Sequence, residues 1–200
     1  MPSNTRERLV EAAVQRFYRD GFRNVGVDQI IDDVGISKTA FYKHFRCKED
    51  LMLAVLQRES TRLKGELRDM LRELGGRSAR DQLHALVGVI EQVMEKGDFH
   101  GCIFINAAFE FPLAHDPTHK AAANNKNVFS DIIFEIAERA GAIDPARLTE
   151  ELCMVVDGAY IARQVTNDSS QLSTAQRLAD KIIAEYLPAE ARKTAHARSQ

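Results

Sequence analysis

The segment Val25 to Leu51, VGVDQIIDDVGISKTAFYKHFRCKEDL, constrains the chain more than any other stretch. Val27 to Val34 reads as a short helix, Gly35 as a tight turn, and Ser37 as the cap of a second short helix over Lys38 to His44. Lys48 then opens a much longer helix. Two short helices joined by a glycine turn form the helix-turn-helix arrangement, whose second helix enters the major groove of duplex DNA. Lys38 to Lys48 carries four basic side chains (Lys38, Lys43, Arg46, Lys48) and no acidic one, in a chain whose formal net charge is −2. A local basic patch on a slightly acidic protein suits a compact reader of DNA, whereas a non-specific DNA coat would be far more positive overall.

The apolar positions fit this geometry. Ile30, Val34 and Ile36 are expected to pack against Phe41, Phe45 and Phe17 of a preceding helix, fixing the angle between the short helices. The outer face then presents Lys38, Thr39, Tyr42 and Lys43 to the groove. Lysine and hydroxyl groups contact base edges or phosphates, and a threonine methyl can touch thymine. The plainer alternative is a three-helix bundle whose charges are only solvated.

The residues Ala12-Ala13, Phe17, Gly21-Phe22, Ile30, Val34-Gly35-Ile36-Ser37, Phe41-Tyr42, Phe45, Lys48 and Leu51 resemble the TetR family of transcriptional regulators, with ISKTAFYKHFRCKEDL the most specific segment. The resemblance implies that Lys38, Thr39, Ala40 and Lys43 lie over base edges, and that Tyr42, His44 and Lys48 position phosphates. Four positions depart from the family pattern. Gly26 stands where a capping Ser or Thr is usual, Ile31 and Val34 where alanine is usual, and Cys47 where a small residue such as Ser is common.

Helical periodicity continues to the end of the chain, with almost no strand signal, so the expected class is all-α. A first helix is expected over Thr5 to Arg19, with Thr5 as its cap and no capping box, ending at Gly21. The long helix from Lys48 should bury Leu51, Val55, Leu63, Leu67, Met70, Leu71 and Leu74 and break at Gly75-Gly76. Further helices are expected over Ala79 to Lys96, Gly101 to Phe111, Thr118 to Ala140, Pro145 to Val165 and Thr174 to Leu187. The organisation is therefore a helix-turn-helix DNA-binding domain over residues 1–50, a larger helical ligand-binding and dimerisation domain over 51–188, and a flexible polar tail over 189–200.

The resemblance implies a homodimer through the last two long helices. The sequence offers two stripes there: Leu148, Leu152, Val155, Ala159, Ala162, and Ala175, Leu178, Ala179, Ile182, Ile183. The alternative is that both face the subunit's own core. A two-fold dimer would read an inverted-repeat operator in duplex DNA. The central helices are expected to enclose a small-molecule effector pocket lined by Leu86, Ile90, Met94, Phe104, Ile105, Phe109, Phe129, Ile133 and Tyr160, with His84, Asn106, Glu110 and Gln164 as orienting polar groups.

Cys102 sits at an expected helix N-terminus, where the dipole lowers a thiol pKa. HGCIFINAAFEF resembles a TetR subgroup that includes regulators responding to aldehydes, quinones and other electrophiles, which makes Cys102 a candidate thiol sensor; a small buried hydrophobe is the alternative. Cys47 lies beside the expected DNA surface, where its modification could block binding sterically, Cys153 reads as interface or core packing, and three scattered cysteines form no disulfide framework. His100, His115 and His119 read as loop residues, with Pro117 between the last two, so no metal site and no cofactor is expected. No apolar run approaches a membrane span and no signal-like region is apparent, so no membrane partner and a cytoplasmic setting are expected. No nucleophile elbow or phosphate loop supports an enzyme. The sequence thus points to a repressor released from its operator by a small molecule or electrophile, with an activator or a non-specific DNA-binding protein as alternatives.

Overall fold

The computed structural model describes residues 4–95, 99–166, 168 and 170–188. Among the described residues the regular structure is ten α-helices, with no strand. Helix α1 spans Thr5–Asp20 and buries Leu9, Val10, Ala13 and Phe17. Its cap is Asn4, not Thr5. The Asn4 side chain accepts from the Arg6 N–H, and the Glu7 carboxylate accepts from the Asn4 N–H at 3.2 Å. The helix therefore does start with a capping box, one residue earlier than the sequence reading placed the cap. Gly21 ends it at φ 85°, a conformation that side chains disfavour.

Helix α2 spans Val27–Val34. Gly26 lacks a capping hydroxyl, but the Gln29 side chain accepts from its N–H at 2.7 Å. Ile31 and Val34, larger than the family's usual alanines, are both buried rather than left loose at the surface. Gly35 makes the turn in the left-handed region, φ 70° and ψ 42°. Helix α3, Lys38–Tyr42, is shorter than expected and is capped by Ser37, whose Oγ accepts from the Ala40 N–H at 3.1 Å.

Helix α4, Lys48–Gly75, joins two hydrophobic cores. Its first half sends Leu51, Met52, Val55 and Leu56 into the N-terminal core beside Phe17, Phe22, Ile30, Phe41 and Phe45. Its second half sends Leu67 and Leu71 into the larger core. Leu63 and Met70 are only partly buried, and Leu74 is exposed.

The remaining helices are α5 (Ala79–His84), α6 (Leu86–Met94), α7 (Ile103–Glu110), α8 (Pro117–Arg139), α9 (Pro145–Thr166) and α10 (Ser170–Tyr186). Where one helix was expected from Ala79, two occur. The Gln176 side chain of α10 donates to the His84 carbonyl at 3.1 Å, engaging a backbone acceptor at the break. The expected end of that helix at Gly97-Asp98 and the expected tail over 189–200 lie outside the described residues.

Packing does not divide at residue 50. Ile103, Phe104 and Ala107 of α7 and Ala122 of α8 belong to the N-terminal core. Helices α9 and α10 lie along each other, and much of their expected interface turns inward: Leu148, Leu152, Ala159, Ala175, Ala179 and Ile183 are buried in the subunit's own core. The apolar residues left outside are Met154, Ile161 and Val165 on α9 and Leu178 on α10.

Candidate nucleic-acid interface and effector cavity

The outer face of α3 carries exposed Lys38, Thr39 and Tyr42, followed by exposed Lys43 and His44, with Ala40 half-buried between them. Phe41 anchors this face from beneath, fully buried and in edge-to-face contact with Tyr42 at 5.2 Å between ring centroids. The supporting helices are cross-braced. Arg16 of α1 holds Asp33 of α2 through two hydrogen bonds of 2.6 and 2.7 Å, and this pairing keeps the Asp33 carboxyl below its ordinary pKa. Arg8 donates to the Val34 carbonyl at 2.6 Å, satisfying an acceptor at the end of α2.

The basic cluster is less bare than its sequence suggests. Lys38 pairs with Asp28 of α2 at 2.9 Å, and Arg46 pairs with Asp50 at 2.9 Å. Lys48 points its ammonium at the Arg23 carbonyl, 3.2 Å away, and lies over the Phe17 ring; partial burial lowers its pKa. Lys48 therefore braces the turn after α1.

A cavity of about 430 Å³ lies behind the reader, between α1, α4, α6, α7, α8 and α9. Of the expected lining residues, Ile90, Phe104, Ile105, Phe129 and Tyr160 form its wall. Leu86, Met94 and Ile133 are instead buried in the larger core, where they fill space between helices. Phe109 points outward and is exposed.

The four expected polar groups are engaged elsewhere. His84 pairs with Asp180 at 2.7 Å. Gln164 donates to Asn106, which donates to the His100 carbonyl. Glu110 accepts from the Phe22 and Arg23 N–H groups at 2.9 and 2.6 Å. Of the histidines read as loop residues, His119 instead lies in α8 and its ring meets the Phe111 carbonyl.

Cys102 does line the cavity, at the N-cap of α7. The backbone N–H groups of Phe104 and Ile105 act to lower its pKa, as expected for a helix N-terminus, but burial outweighs them and pushes the thiol up. The thiol thus moves opposite to the direction that the helix dipole alone implies. Burial likewise raises the Tyr160 hydroxyl, so both groups are held in their neutral forms.

Residues 9–55 match the family described as bacterial regulatory proteins, tetR family, and residues 79–179 match the tetracyclin repressor-like C-terminal domain. The chain belongs to the TetR family. Its members are transcriptional regulators rather than enzymes. Similar proteins include the transcriptional activator FasR of Mycolicibacterium smegmatis, 32% identical over 71% of this chain and 63% of that protein. They also include the transcriptional repressor NemR of Escherichia coli, 27% identical over 54% of each. Among solved structures, the TetR-family regulator SCO4454 from Streptomyces coelicolor superimposes with a TM-score of 0.80 at 26% identity, covering 92% of this chain and 96% of that one.

Three features of this TetR protein's site escaped the sequence reading. Val14 and Tyr18 of α1 form part of the cavity wall, so the reader itself touches the cavity. The carboxylate of Glu59, on α4, is buried at the cavity and bound by Arg62 at 2.7 Å. Glu110 ties the end of α7 to the turn after α1, and a Cβ at Gly21 would stand 3.2 Å from its Oε1. Only the Glu59–Arg62 pair had a local signal, a spacing of three along a helix. The other two depend on how distant segments meet.

Proposed function

We propose that the protein is a homodimeric repressor that binds an inverted-repeat operator and leaves it when a small molecule fills the cavity. The observation that carries this reading is the cavity's shared wall. Val14 and Tyr18 of α1 face the same space as Phe104 and Phe129 of the larger domain. A guest that fits better when α1 has moved favours that arrangement and draws the population toward it. Because α1 braces α2 through Arg16 and Arg8, such a movement re-aims α3. Full reversal of a 1:99 equilibrium requires roughly 5.5 kcal/mol of differential binding.

In vitro selection from a random duplex library tests the DNA reading. The expected product is an inverted repeat whose half-sites lie about 34–36 Å apart, one helical turn. Thr39→Ala is expected to change the preferred base at one position in each half-site while leaving the spacing intact. Salt-sensitive binding without enrichment would overturn the sequence-specific reading. The sign of regulation is read from a reporter driven by the selected site: expression should fall when the protein is present, and a rise would make it an activator.

The position of Cys102 on the cavity wall supports a second route, in which an electrophile admitted to the cavity alkylates the thiol. Release by N-ethylmaleimide should then be lost in Cys102→Ser. Release that persists in the variant would rule this route out.

A further inference from the structure

The cavity wall is apolar over much of its extent, with Leu67, Val89, Phe104, Phe129 and Val156 among its residues. Every charged side chain on it already has a partner: Glu11 with Arg58, Glu59 and Glu66 with Arg62, and Lys126 with Asp157. Most of these side chains are partly exposed, so the cost falls deeper: a charged guest seated against the buried Leu67, Phe104 and Phe129 would stand unpaired, and a buried unpaired charge is costly.

Asn125 of α8 lines the same cavity and is only 5% exposed. Its Oδ1 is buried with no hydrogen-bond partner, the only such side-chain atom among the described residues. A buried amide oxygen without a donor costs free energy that a donating guest recovers. The terminal amide torsion is broad, so a modest rotation turns Oδ1 toward a guest. The cavity's volume of about 430 Å³ lies in the range of small-molecule sites, room for a compact guest built on one or a few rings.

We infer that the effector site takes an uncharged, ring-sized molecule that donates a hydrogen bond to Asn125 Oδ1. This inference rests on the reading of the cavity as an effector site. It adds the guest's charge, its size and the side chain that recognises it. The neutral Cys102 thiol and Tyr160 hydroxyl are in keeping with such a guest.

Four naphthalenes of similar shape test the assignment by calorimetric titration of the full chain at pH 7. They are 1-naphthol, 1-methoxynaphthalene, 1-naphthoate and 1-naphthylmethylammonium. The expected result is that 1-naphthol binds at least tenfold more tightly than each of the others. Asn125→Leu should weaken 1-naphthol about tenfold and leave 1-methoxynaphthalene unchanged, which also reports that the variant is folded. If the leucine variant does not fold, Asn125→Ala is read in the same way.

Equal or tighter binding of the anion or the cation overturns the inference, as does unchanged 1-naphthol binding in the folded variant or no binding of 1-naphthol at all. Operator binding followed in the same samples separates the two proposals. Asn125-dependent binding of 1-naphthol without operator release upholds the guest class and overturns the effector role. Release by a charged naphthalene alone upholds the effector role and overturns the guest class.

Discussion

At the scale of single residues, the surface of α3 and the residues that follow it is set by charge pairs as much as by exposed side chains. Lys38 can reach a base edge or phosphate only by leaving or sharing Asp28, whose carboxylate lies 2.9 Å away on α2. Asp28→Asn frees that lysine and removes a negative charge from the face proposed to meet phosphates. The change should strengthen DNA binding about two- to fivefold at low salt, in line with the modest worth of exposed pairs, and the gain should fade as salt rises. Fluorescence anisotropy with a labelled operator measures it; weaker binding would mean that the pair organises α3 for docking. Cys102 gives a second residue-scale expectation. Because burial holds its thiol above the ordinary pKa, alkylation by iodoacetamide should be slow at pH 7 and should rise only at pH above that of a free cysteine. Mass spectrometry of the modified peptide across a pH series checks this. A mid-rise below the free-thiol value would restore the helix-dipole reading.

At the scale of elements, Glu110 bonds the helix that begins at the cavity to the turn that leads into the reader. It ends α7, which begins at the cavity, and its carboxylate accepts two backbone N–H groups from the turn between α1 and α2. Hydrogen bonds to a charged group contribute roughly 1.5–3 kcal/mol each, so losing both in Glu110→Ala should lower the melting temperature by roughly 6–24 °C, at about 2–4 °C per kcal/mol for a chain of this size. It should also blunt effector-driven release of DNA more than effector binding. If release keeps its full amplitude, coupling runs through α1 and α4 without this latch. Helix order was legible in the sequence because periodicity and punctuation are local: Ser37, Gly21, Gly35 and Gly76 do at close range what their residue types suggest. The latch was not legible, because Phe22 and Glu110 are 88 residues apart and a carboxylate in an apolar segment reads equally well as a ligand contact. The lining of the cavity was half legible. Periodicity identifies which residues turn inward, but Met94 and Phe104 both do so, and only the packing of neighbouring helices decides which one borders empty space.

At the scale of the whole molecule, α9 is apolar on two sides, and a single subunit accounts for only one of them. Leu148, Leu152 and Ala159 fill the subunit's core, while Met154, Ile161 and Val165 stand 75%, 42% and 77% exposed. With Gly158, these exposed positions recur every three or four residues, which places them on one helical face. Nothing lies within 4 Å of a Cβ built at Gly158, so the backbone there is open to a close neighbour. Leu178 of α10, 43% exposed, adds to the apolar surface. A surface of this kind is what a two-fold contact requires, since each copy offers the same patch to the other. Burying a carboxylate at its centre should break the contact because the charge would have no partner. Ile161→Asp combined with Val165→Asp is therefore expected to convert a dimer to a monomer in sedimentation experiments without disturbing helix content. Operator affinity should fall at least a hundredfold, since two linked half-site contacts become independent. A double variant that still sediments as a dimer would move the interface off this face. A monomer that keeps full operator affinity would show that one copy reads the site unaided, and the inverted-repeat reading would fail with it.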